Sequence, residues 1–133
     1  MTGRIAAEIH EEPAAIRATI AGSRATAREV AVALRDGGVE RVHLIGNGTS
    51  YHSSLAAALV HRRHTRAGEP VVVASTAGEF RHYRPDLGPG DAVVGISASG
   101  EFRDVLAVTE SLRGRVPTVA IVHSPGSTRS TRS

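Results

Sequence analysis

The sequence predicts an α/β fold, a doubly wound and mainly parallel sheet with helices on both faces. Three observations carry this. Ala92-Val93-Val94-Gly95-Ile96 is an apolar run without polar alternation, as expected of a strand covered on both faces. Short apolar runs of this kind recur four times and alternate with helix-like stretches. Two of them, Leu44-Ile45 and Val94-Gly95-Ile96, pass through a Gly/Ser/Thr turn straight into helical sequence.

Taken in order, Ile5 to Ile20 carries isoleucine at 5, 9, 16 and 20, and Pro13 is placed to open a short helix there. Ser23 is placed to cap a second helix running to about Asp36, with Ala27, Val30, Ala31 and Leu34 on one stripe and Gly37-Gly38 as its stop. Arg41 to Ile45 reads as the first strand. Tyr51 to about Arg66 reads as the next helix, with Leu55, Ala58 and Leu59 on its buried side. Val71 to Ala74 is the second strand, Ala77 to Tyr83 a short helix, and Pro85 to Asp91 a loop. The third strand begins at Ala92, a helix follows from Phe102 to Leu112, and Pro117 to Val122 makes the fourth strand. With strand order 2-1-3-4, the turns after strands one and three face a common crevice beyond the carboxyl ends of the sheet. Both turns are rich in donors and poor in acids, which suits a small anion. The sequence from Ser124 to Ser133 offers no core residue and is expected to be a flexible tail. The fold therefore reads as truncated after its fourth strand: either a partner covers that edge or the chain is a fragment.

At 133 residues, 41% of them apolar, the chain is expected to form one domain with a modest core. Aromatics make up only 3%, leaving few stacking platforms for single-stranded nucleic acid. The formal charge of +3 rests on sixteen arginines and no lysine, which excludes Schiff-base chemistry; the basic clusters read as solvated surface rather than a nucleic-acid interface. Absence of cysteine removes disulfides, thiolate metal sites and thiol nucleophiles. The N-terminal residues lack an apolar signal region and no run approaches a membrane span, so a cytoplasmic protein without a membrane partner is expected.

Ser97 and Ser99 are read as anion donors rather than simple helix caps. Thr49 and Ser50 are equally compatible with either role. The Gly46-Asn47-Gly48 turn hints at a dinucleotide site, but Tyr51 occupies the third glycine position and no acid follows the second strand. Gly95-Ile96-Ser97-Ala98-Ser99 lacks the closing glycine of a hydrolase elbow. Glu101 reads as a first-turn acid complementing the helix dipole. His61 and His64, one turn apart on a basic helix, read as surface residues rather than metal ligands. His52 adjoins the first turn.

Five pieces in this order carry a resemblance: Glu8-Ile9-His10-Glu11-Glu12-Pro13, Gly48-Thr49-Ser50-Tyr51-His52, Gly78-Glu79-Phe80-Arg81, Ile96-Ser97-Ala98-Ser99-Gly100-Glu101 and Pro125-Gly126-Ser127. Together they resemble the sugar isomerase (SIS) domain, a flavodoxin-like fold. The likeness is greatest to the first of the two SIS domains in the isomerase half of glucosamine-6-phosphate synthases. The resemblance implies a single SIS domain over 1–133, comprising N-terminal helices over 1–40, a sheet core over 41–123 and the tail. It further implies a phosphorylated sugar or amino sugar as ligand, with no metal and no cofactor. Its phosphate would take Ser50, Ser97, the Ala98 N–H and Ser99, beside Gly48, with Thr49 lining the sugar. The synthases usually have glutamine in place of Ala98 and threonine in place of Phe102. Losing two such contacts costs on the order of a hundredfold in affinity unless compensated, so a different sugar phosphate is credible. The family's catalytic glutamate, histidine and lysine lie in or beyond a second SIS domain. The resemblance thus implies a binding domain of an isomerase, aminotransferase or aminosugar-phosphate deaminase, completed by a homo-oligomeric partner or a second SIS domain. A sugar-phosphate sensing or interaction module and a truncated remnant remain the alternatives.

Overall fold

In the computed structural model, which describes residues 2–84, 86–98 and 103–122, four parallel strands form one sheet. They are β1 (Arg41–Gly46), β2 (Val71–Thr76), β3 (Asp91–Ser97) and β4 (Thr118–Val122), in the order β2-β1-β3-β4. Register runs from Arg41↔Val71 to Gly46↔Thr76 on one side of β1 and from Arg41↔Asp91 to Ile45↔Gly95 on the other. The connecting helices are α2 (Thr49–His64), α3 (Ala77–Tyr83) and α4 (Arg103–Leu112). The chain moves from β1 outward to β2, then back across β1 to β3 and on to β4. Right-handed crossovers therefore put α2 on one face and α3 with α4 on the other. Accordingly α2 packs on β1, β2 and β3, whereas α3 and α4 pack on each other and on the sheet.

The apolar run at Ala92 behaves as expected of a central strand: Asp91 to Gly95 and Ser97 are buried. On the α3/α4 side, Ile45, Ala77, Phe80, Val93, Val105, Val108, Leu112 and Val116 form the core. Full burial of an aliphatic side chain of this size contributes about 1.5 to 3 kcal/mol. On the α2 side the helix turns Ser54 and Ala58 inward. Leu55 and Leu59, expected to be buried, are 39% and 54% exposed. The reason is steric: the serine and alanine stripe lets the helix backbone lie close to the sheet, and the leucines are rotated outward by one position.

The N-terminal region differs from the expected pair of helices. It is one helix, α1 (Thr2–Asp36), with Pro13 in its interior. Helix-forming residues precede Pro13, and an Arg4–Glu8 ion pair of 3.1 Å spans one turn there, so the helix begins well before the proline. The Ser23 hydroxyl donates back to the Thr19 carbonyl instead of capping a new start. The helix ends as expected, at Gly38, whose φ of 75° lies in the left-handed region. By compactness the chain divides into two units, Met1–Ala33 and Leu34–Ser133. The predicted tail over 124–133 lies outside the described residues.

Candidate functional site

The two strands that lead into the donor-rich turns, β1 and β3, are parallel neighbours, so their carboxyl ends lie at the same end of the sheet. Gly46 closes β1, one residue beyond the Ile45↔Gly95 pair that joins it to β3. A Cβ on Gly46 would stand 2.8 Å from Ser50 Cβ and 3.2 Å from the Ile96 carbonyl oxygen. The first turn of α2 thus folds back over the end of β1 and comes against the end of β3. Glycine is the one residue that permits this approach.

Gly48 caps α2 with φ 54° and ψ −125°, and no side chain closes that helix start. The first turn holds no acid, so the positive end of the helix dipole is not neutralised locally. Thr49 is exposed and Ser50 half-buried. The Ser50 N–H donates to the Asn47 carbonyl at 3.1 Å, and the Ser50 carbonyl accepts from the Ser54 hydroxyl at 2.8 Å. On β3, Ser97 is 1% exposed, and Ala98, just past the strand, is exposed. Ser99 and Phe102, and with them Glu101, lie outside the described residues.

A third strand end joins this group through Asn47. Its Oδ1 accepts from the Ala77 N–H at 3.2 Å, bonding the β1 turn to the start of α3, which follows β2 without a linker. Thr76 caps α3 by accepting from the Glu79 N–H at 3.1 Å. The ends of β1, β2 and β3 are thereby held together.

Sequence reasoning missed a buried polar pair below this end. His43 Nε2 lies 2.9 Å from Asp91 Oδ1, with 5% and 12% of the side chains exposed. Asp91 Oδ2 also accepts from the Gly88 N–H at 2.9 Å, and the His43 ring sits 5.2 Å from that of Phe80. Burial pushes the Asp91 carboxyl up, but the hydrogen bonds from Gly88 and His43 and the charges of His43 and Arg41 outweigh it and hold the pKa below the usual value. The available signal was parity: His43 alternates with Ile45 on an inward-facing strand, a position where a polar side chain needs a partner.

His52 is exposed, its ring 5.4 Å from that of Tyr51 and tilted 56° to it. His61 Nε2 lies 2.8 Å from the Pro70 carbonyl oxygen, a structural contact. Among the described residues no cluster of three metal-ligating side chains occurs, and no helix is long and apolar enough to cross a membrane. A cleft of about 430 Å³ beside β2 is lined by Arg41, His43, Ser75, Glu79, Tyr83 and Arg84 among others, and by none of the five expected site residues that the structure describes.

A parallel 2-1-3-4 sheet with helices on both faces defines a class of α/β domain, and comparison with known proteins identifies which. The SIS-domain profile matches residues 38–133, and the chain belongs to the SIS domain family. It is 35% identical over 120 residues to glutamine–fructose-6-phosphate aminotransferase (isomerizing) of Methanothermobacter thermautotrophicus, a match covering 90% of this chain and 19% of that protein. The chain therefore spans about a fifth of the length of such relatives. Among solved structures, a protein described as a phosphosugar isomerase from Silicibacter pomeroyi superposes with a TM-score of 0.70 at 25% identity, over 95% of this chain and 38% of that one. The C-terminal domain of the aminotransferase from Francisella tularensis shares the fold, with a TM-score of 0.65 at 24% identity over 75% of this chain and 28% of that one.

Proposed function

We propose that this chain binds a phosphorylated sugar or amino sugar in the crevice between the β1 and β3 turns. The observation that carries the reading is the adjacency of two donor-bearing strand ends, with Gly46 wedged between Ser50 and the Ile96 carbonyl. Ser50, Ser97, the Ala98 N–H and Ser99 take the phosphate, Gly48 lets main chain approach it, and Thr49 lines the sugar. At 1% exposure Ser97 would hold a phosphate oxygen away from bulk water, where a charge-assisted hydrogen bond is stronger. Position 102 is phenylalanine where glucosamine-6-phosphate synthases usually have threonine, and the lost hydroxyl shifts the preferred sugar. The domain supplies the binding half of a cytoplasmic isomerase, aminotransferase or deaminase-type site. Proton transfer falls to groups of a second SIS domain, carried by a partner subunit or elsewhere in a longer polypeptide.

A thermal-shift comparison tests this. Fructose 6-phosphate or glucosamine 6-phosphate at a hundred times Kd should stabilise the chain by about 2.7 kcal/mol, and the unphosphorylated sugars should not. Ser50→Ala and Ser97→Ala should each abolish most of that shift. Equal shifts with both ligand classes, or shifts indifferent to both substitutions, would overturn the phosphate role.

A further inference from the structure

The outer side of β2 has no neighbouring strand. Among the described residues β2 pairs with β1 alone, in unbroken register from Arg41↔Val71 to Gly46↔Thr76. The Val71 N–H donates to the Glu40 carbonyl at 2.9 Å. In a parallel ladder, residues that bond to one neighbour alternate with residues whose N–H and C=O point the other way. Val71, Val73 and Ser75 therefore bond inward to β1. The main-chain groups of Val72 and Ala74 point outward, with no partner among the described residues. Edge strands are ordinarily guarded by a lysine, a proline, a bulge or an inward charge. β2 reads Val-Val-Val-Ala-Ser-Thr and has none of these.

Both faces of this edge are hollow. On the α3 side, Val71, Val73 and Ser75 line the cleft of about 430 Å³, and the two valines are 58% and 38% exposed. On the α2 side, a second cleft of about 490 Å³ lies between β2 and the exposed Leu55 and Leu59. A main chain laid along β2 would set its alternate side chains into the two clefts in turn. Outward donors and acceptors between paired hollows fit an extended polypeptide, whereas a small molecule would occupy one cleft and leave the main-chain groups unmatched.

Charge narrows the class. Arg41 and Arg84 line the first cleft and Arg62 and Arg66 the second, against one carboxylate in each, Glu79 and Glu69. None of these arginines is in an ion pair among the described residues, and Glu69 is already engaged by the Thr65 hydroxyl and the Arg66 N–H. The His61 contact with the Pro70 carbonyl ties the end of α2 to the start of β2, so Arg62 and Arg66 sit with Arg41 at the amino end of the sheet.

We infer that the β2 edge is a docking site for an extended acidic segment of a partner protein. The segment adds as an outer strand antiparallel to β2, the slightly more stable pairing, with β-branched side chains in the clefts. Carboxylates that follow this stretch lie over the arginines at the amino end. The inference does not depend on a ligand at the carboxyl ends of β1 and β3.

The test is fluorescence anisotropy and hydrogen exchange of the full chain with a fluorescein-labelled peptide of alternating valine and threonine followed by three glutamates. Saturable binding is expected. The amides of Val72 and Ala74 should exchange at least about tenfold more slowly in the complex, while those of Val71 and Val73, already in the ladder, change little. A peptide with lysines in place of the glutamates should bind at least about tenfold more weakly, as should the glutamate-ended peptide to a chain carrying Arg62→Glu and Arg66→Glu, both at exposed positions. Val72→Pro removes an outward donor and leaves the β1 ladder intact, so it should weaken binding at least about tenfold. Should Val72→Pro unfold the chain, the arginine variant and the exchange pattern decide. No binding, equal binding of the lysine peptide, or a complex that leaves the Val72 and Ala74 amides unprotected would overturn the inference. So would slow exchange of those two amides in the peptide-free chain that is lost on dilution, which would give the edge to a second copy.

Discussion

At Gly46 a single added carbon would enter space already held by Ser50 and by the end of β3. Relief requires moving backbone, so Gly46→Ala should cost about 1 to 3 kcal/mol, read as a lower urea midpoint. Gly114 makes the useful control. A methyl group added there would meet nothing within 4 Å, but φ is 76°, so its alanine variant should lose about 1 kcal/mol by strain alone. Asp91 leads to a different measurement. Its folded pKa is depressed, so the unfolded chain binds more protons through the interval between the two pKa values. The stability it contributes is complete above its unfolded pKa, near pH 4, and is lost as pH falls through the lower folded value. Asp91→Asn should therefore destabilise the protein by about 1 to 3 kcal/mol at pH 7, and the gap from the parent should narrow in acid. A gap that stays constant down to pH 2 would show that the carboxylate charge is immaterial.

Among the elements, the helices separate cleanly by what they bury. Leu112 on α4 is 1% exposed and belongs to the core, so Leu112→Ala should cost about 2 to 5 kcal/mol, whereas Leu59→Ala on α2, 54% exposed, should cost under about 0.5 kcal/mol apart from propensity. Chemical denaturation of the two variants measures the contrast. The strands were legible because unbroken aliphatic runs such as Ala92 to Ile96 have few other fates in a chain this short, and their parallel direction followed from their alternation with helices. The facing of α2 was legible only at Ala58. Leucine outranks serine in hydrophobicity, but distance to the sheet favoured the small side chains Ser54 and Ala58. The continuity of α1 was not legible, because Pro13 signals a helix start as readily as it tolerates an interior site, and only the turn upstream of it distinguishes the two.

For the molecule as a whole, protection from solvent should grade outward from the middle of the sheet. Amides of Val42 to Ile45 and Ala92 to Gly95, on the two central strands, should exchange slowest by hydrogen exchange, and those of β2 faster, since β2 is an edge strand none of whose residues is fully buried. Slower exchange at β2 than at β3 would contradict this ranking. At this scale the adjacency of the two strand ends that frame the candidate site was legible and its supports were not. Two Gly/Ser/Thr turns after neighbouring parallel strands pointed to one crevice, because a strand-order reversal puts such turns side by side. The His43–Asp91 pair, by contrast, joins residues forty-eight positions apart, and its chemistry emerges only once β1 and β3 lie together. The Asn47 side chain has a like reach. By bonding the amide that begins α3, it yokes the β1 turn to an edge strand, so a guest that drags that turn by even an ångström must either carry the rim of the sheet along or snap the tether, and news of occupancy would arrive at the edge of the domain by a mechanical route.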